Sequence, residues 1–197
     1  MKLHYKGTYD LNPDSLPAAP AKKDAVPFKE PDSIEKIAWI ANGIALVLLV
    51  VLAIPIVALY KTRLIFSIGF WIGGGLSLLT CFPHEILHAL CFKDDVYLYT
   101  NLRQGMLFVI GTETMSKRRF IFMSMLPNRV FGVLPYGLGL LFPSCSVLLG
   151  LGWCAITMGA GDYLNVFHAL TQMPKGAKTY MSGIHSWWFI PEENEDR

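Results

Sequence analysis

The sequence predicts an all-α polytopic membrane protein of about four transmembrane helices, with a small β-hairpin between the second and the third. Three observations predict it. Hydrophobic residues make up 53% of the 197 and charged ones only 16%, with a mean hydropathy of +0.40, where an ordinary soluble domain carries about 25% charged residues. Apolar runs recur at lengths able to cross a bilayer of ~30 Å at about 1.5 Å per residue. The few ionisable residues inside those runs are of chemically active types, and a costly charge in an apolar segment reads by default as functional.

Residues 1–36 hold Pro13, Pro17, Pro20, Pro27 and Pro31 among lysines and acids, so they read as a polar, irregular tail. They contain no apolar stretch of the kind a signal peptide needs. Asp32-Ser33 followed by Glu35 marks a helix start. The first predicted span is 37–60, with Trp39 and Tyr60 at its ends where amphipathic rings favour the interface. Pro55 falls within it. Lys61-Thr62-Arg63 is a short connection to the second span, 64–92, which carries Gly73-Gly74-Gly75 as a smooth packing surface and Pro83 as a local distortion. In 93–119 the charged residues return. There Val96–Tyr99 and Met106–Ile110, separated by a turn-like Thr-Asn-Leu-Arg-Gln-Gly, predict a surface hairpin.

The third span, 120–142, is broken by Pro127, Gly132, Pro135, Gly137 and Gly139 and contains Asn128 and Arg129. Such breaks need a neighbour or a water-filled cavity to satisfy the backbone. The fourth span, 146–170, contains Asp162. The domain reading is therefore a tail at 1–36, a membrane-embedded domain at 37–170 and a C-terminal tail at 171–197, in which Trp187–Ile190 form a short strand or an interfacial patch. With four crossings, fourteen of the Lys and Arg residues fall on the side of both tails and the hairpin, against Lys61 and Arg63 opposite. The excess of positive charge on the inner face then puts both termini in the cytosol of a multi-pass cell-membrane protein. A formal charge of +2 with no long basic run argues against nucleic acid. Cys81, Cys91, Cys145 and Cys154 follow no C-x-x-C spacing and read as reduced, partly buried thiols.

The chemistry concentrates in His84-Glu85-Ile86-Leu87-His88. Residues four apart share one face of a helix, so His84 and His88 can hold one metal ion with Glu85 beside them as general base. This H-E-x-x-H spacing is that of zinc peptidases. The bland alternative is three side chains satisfied by neighbouring helices. A catalytic zinc needs a third protein ligand. Asp94, Glu113 and His168 are candidates, and Asp162 is the preferred one, because a metal keeps a buried carboxylate ionised. Its estimated depth in its span also matches that of His84, roughly 12 Å. The competing role for Asp162 is a structural bond to Arg129 or to a neighbouring helix.

The segment PHEILHALCF, followed two apolar segments later by GAGDYLN, resembles a family of bacterial membrane zincin peptidases, itself similar to intramembrane metalloproteases of the site-2-protease type. The resemblance covers 64–170. It implies Zn2+ as cofactor, His84, His88 and Asp162 as metal ligands and Glu85 as catalytic base. Two departures accompany it. Site-2 proteases place their aspartate in an Asp-Gly pair, whereas here the glycine precedes it. Their substrate-holding asparagine has only a loose counterpart in Asn128. The expected function is zinc-dependent peptide-bond hydrolysis near the cytosolic face, acting on transmembrane or juxtamembrane segments. The expected partners are the lipid bilayer and a protein or peptide substrate. The alternative is a non-catalytic metal-binding scaffold or a small transporter component.

Overall fold

A computed structural model describes residues 1–31 and 33–192, apart from the side chain of Ile34. The Asp32 part of the predicted helix start and residues 193–197 of the C-terminal segment lie outside the described residues. The chain order of strands is β1 (Leu3–Thr8), β2 (Val26–Pro27), β3 (Val96–Asn101), β4 (Met106–Ile110), β5 (Met115–Ser116), β6 (Lys178–Ser182) and β7 (His185–Phe189). The helices are α1 (Ile34–Tyr60), α2 (Ile68–Ser77), α3 (Cys81–Leu90), α4 (Lys117–Pro127), α5 (Leu134–Leu141), α6 (Ser146–Met158) and α7 (Ala160–Gln172). They divide into two compact units, one of Met1–Glu30, Glu85–Ser124 and Asn165 onward, the other of Pro31–His84 and Met125–Leu164. Helices α3, α4 and α7 contribute residues to both.

The first unit contains every strand among the described residues, in two sheets of order β1-β3-β4 and β2-β7-β6-β5. The predicted hairpin is present: β3 and β4 pair antiparallel with Leu98 opposite Val109. Gly105 closes the turn with φ +64, a left-handed conformation that costs glycine little. β1 adds to this hairpin in parallel, Leu3 facing Val96, which leaves β1 and β4 as the two edges. In the second sheet β6 and β7 join through Gly183-Ile184, with Gly183 at φ +61, as two-residue hairpins demand. Phe92, Val96, Phe120, Met123, Ala169 and Met173 form the unit's core.

The second unit is helical. Ser33 caps α1 by accepting from the Lys36 amide at 3.3 Å. Tyr136 and Trp153 donate to the carbonyls of Leu52 and Leu49 at 2.6 and 3.1 Å and fix α1 to its unit. Helices α2 and α6 approach until a Cβ on Gly150 would stand 1.8 Å from the Phe70 carbonyl oxygen, and one on Gly73 1.9 Å from that of Val147. Only glycine permits that distance, the small-residue packing of membrane helices. Ile56, Phe70, Tyr136, Leu149 and Ile156 fill the space between.

The all-α, four-span expectation is overturned. The protein is mixed α/β, 57% helix and 16% strand. Among the described residues one helix, α1, is long and apolar enough to cross a membrane, or two if the bent pair made by 143–158 and α7 is one span. The predicted second span breaks into α2, a 3-10 turn over Leu78–Thr80, and α3. Pro83 lies in the first turn of α3, where its missing amide is no loss. The third continues from α4 through a π turn, Asn128–Val133, into α5, but it opens with Lys-Arg-Arg and holds Asn128. The fourth bends by 51° at Gly159. Multi-pass topology and cytosolic termini rested on four crossings and lose that basis. The tail readings also change: residues 3–8, 26–27, 178–182 and 185–189 are strands, because β1 lies ahead of the prolines and its partner is remote in sequence.

Candidate metal centre

Helix α3 holds the motif. His84 and His88 stand one turn apart, and one donor atom each from His84, Glu85 and His88 lie within 4.8 Å of one another. His88 is 8% exposed, with its Nδ1 3.0 Å from the carbonyl oxygen of Met123 in α4. A carbonyl only accepts, so Nδ1 carries a proton, which leaves Nε2 as the nitrogen a metal would take. This is the way a histidine is oriented for a metal. Glu85 accepts at Oε2 from the Val109 amide of β4 at 3.0 Å. That amide is available because β4 is a sheet edge.

In the helical unit, His84 Nε2 lies 3.1 Å from Asp162 Oδ2. Both side chains are mostly covered, at 17% and 14% exposure. Asp162 Oδ2 also accepts from Asn128 Nδ2 at 2.7 Å, and Asn128 Oδ1 accepts from the Tyr163 hydroxyl at 3.2 Å. Two ligands of one tetrahedral zinc, each about 2.0–2.1 Å from it, are about 3.3 Å apart, so the His84–Asp162 spacing suits a shared ion. Imidazole nitrogens and carboxylate oxygens are also the donor types zinc takes. The donors of His84, Glu85 and His88 are close enough for one ion, and Asp162 meets that group at His84.

The other candidates are engaged elsewhere. Glu113 binds the Arg119 guanidinium and accepts from the backbone amides of Lys93 and Asp94 at 2.5 and 3.2 Å. Burial acts to raise its pKa, but these donors together outweigh it and hold the carboxyl below its ordinary value. Arg119 also reaches the Cys91 carbonyl through Nε at 3.0 Å, so the pair secures the chain as it leaves α3. Asp94 is exposed. His168 is buried beside Phe28 in the core of the sheet-bearing unit. Sequence reasoning missed Val109, the Met123 carbonyl and Tyr163. Backbone groups leave no trace in residue type. Tyr163, next to Asp162, was the one visible signal.

A helix carrying H-E-x-x-H, with a carboxylate against its first histidine, presents the donor types of a zinc-peptidase-like site. Residues 77–178 match the family described as "Putative zincin peptidase", just over half of the chain, and the protein belongs to that family. The family implies zinc-dependent hydrolysis. No curated protein and no solved structure matches the chain.

Proposed function

We propose that the protein is a membrane-attached zinc metallopeptidase in which His84, His88 and Asp162 hold the ion and Glu85 is the general base. Its substrates are transmembrane or juxtamembrane segments of other proteins. The observation that carries the reading is the orientation of the motif on α3: His88 is fixed by Met123 with Nε2 as the nitrogen a metal would take, and Glu85 is fixed by Val109 beside it.

Zinc, when bound, supplies Lewis acidity toward a water and a carbonyl. Glu85 takes the proton of the attacking water and delivers it to the leaving nitrogen, a transfer worth about 10²–10⁴ in rate. The Val109 amide keeps the carboxylate aimed through that exchange.

Membrane attachment rests on α1. Only 6% of its apolar window is buried, and Trp39, Leu46, Val47, Val50, Ile54 and Leu59 are exposed. In water such a face would be an aggregation liability; in lipid it is ordinary. His84 and Asp162 belong to the same unit as α1, which supports a membrane-embedded site.

The test uses protein purified in detergent micelles, its zinc measured by mass spectrometry, and quenched-fluorescent peptides that carry apolar segments as the probe. About one zinc per chain is expected, with strong loss in His88→Ala and hydrolysis only in protein that retains Glu85. Equal zinc in wild type and His88→Ala would overturn the site. Full hydrolysis by Glu85→Gln would overturn the mechanism.

A further inference from the structure

We infer that Asn128 and Tyr163 are positioning residues that aim the Asp162 carboxylate, and that Gly159 exists to make room for them. The inference rests on Asp162 being a zinc ligand. Asn128 is 1% exposed and opens the π turn that links α4 to α5. A π turn is uncommon and tends to occur where function needs a side chain displaced from the regular helical register.

The direction of each hydrogen bond follows from elementary chemistry. A carboxylate accepts only, so the Asn128 nitrogen must face Asp162, as it does at 2.7 Å. Its oxygen must then face Tyr163, which makes the phenol the donor at 3.2 Å. The amide cannot flip without setting its oxygen against a carboxylate oxygen. The phenol thus fixes the amide, and the amide fixes Oδ2 of Asp162, the oxygen 3.1 Å from His84. Buried chains of this kind polarise one another and hold one orientation. A carboxylate that is already aimed loses less freedom when it takes a metal.

Gly159 supplies an independent observation. A Cβ there would lie 1.8 Å from Asn128 Oδ1 and 2.4 Å from its Cγ. The bend at Gly159 is therefore also the cradle of the asparagine. An asparagine occupied at both ends in this way acts on the aspartate rather than on a substrate.

The experiment measures zinc affinity by chelator competition in Asn128→Ala, Tyr163→Phe, Gly159→Ala, Asn128→Ala/Gly159→Ala and Asp162→Asn. The visible spectrum of the cobalt-loaded forms and the melting temperature of the metal-free forms accompany it. Loss of the amide should weaken zinc about 10- to 100-fold, and loss of the hydroxyl alone about three- to tenfold. Gly159→Ala should weaken zinc in the wild-type background and add nothing once Asn128 is Ala, since it acts only by displacing that side chain. The cobalt spectrum should change in Asn128→Ala and Tyr163→Phe, which a merely structural pair would leave unmoved. If Asn128→Ala fails to fold, Tyr163→Phe and Gly159→Ala decide the matter. Wild-type zinc affinity in both would overturn the inference, provided Asp162→Asn loses zinc. Full affinity in Asp162→Asn itself would instead overturn the ligand assignment on which it rests.

Discussion

At the scale of single residues, the centre separates binding from proton transfer. Glu85→Gln keeps the shape and an acceptor for the Val109 amide but cannot take a proton. It should retain zinc and lose hydrolysis by about 10²–10⁴, a result read from metal analysis and turnover on the same sample. Val109→Pro removes the amide hydrogen together with the valine side chain and some backbone freedom, and edge strands tolerate proline where the amide faces away from the sheet. It should retain zinc while hydrolysis falls roughly tenfold, as for one charge-assisted hydrogen bond; unchanged turnover would remove Val109 from the mechanism. The grouping of His84, Glu85 and His88 was legible in the sequence because a spacing of four on a helix puts side chains on one face, and Asp162, met by His84, stood out as a carboxylate in an apolar run. Glu85's anchor was not legible. It is a main-chain group on β4, 24 residues away, and any residue but proline would supply it.

At the scale of elements, the contact between α2 and α6 and the tie at the end of α3 carry separate predictions. Gly150→Ala must push a carbonyl aside, whereas a methyl on Gly75 would meet nothing within 4 Å. Thermal melting in detergent should show Gly150→Ala destabilised by about 1–3 kcal/mol and Gly75→Ala nearly unchanged. Glu113→Gln should lower stability by about 1–3 kcal/mol yet leave zinc occupancy intact, and zinc loss there would move the site to the surface loop. The sign of its pH dependence follows from its lowered pKa. The contribution of Glu113 is fully present above its ordinary value of 4.5 and fades as pH falls through the lower folded value. The Glu113→Gln variant should therefore lose less stability than wild type across that interval. The hairpin β3–β4 was legible because its strands and turn are contiguous. The span breaks were not, because hydropathy averaged over twenty residues is blind to a 3-10 turn at Leu78–Thr80 or to a 51° bend at Gly159. The first strand was hidden by the prolines that follow it.

At the scale of the whole molecule, the exposed apolar face of α1 predicts a crossing. With the four native thiols replaced, single cysteines at Asp10 and Thr62 flank α1. An impermeant reagent applied to sealed vesicles should label one and spare the other, and equal labelling of both would show that α1 does not cross. The pairing of β1 has a different consequence, which concerns time. Leu3 faces Val96, 93 residues later, so β1 has no partner until the chain has been made through α1, α2 and α3. At about 5–20 residues per second it waits roughly 5–20 s. Strand β1 thus depends on a partner made long after it, and a nascent chain arrested before β3 would hold β1 unpaired, open to proteases and chaperones alike.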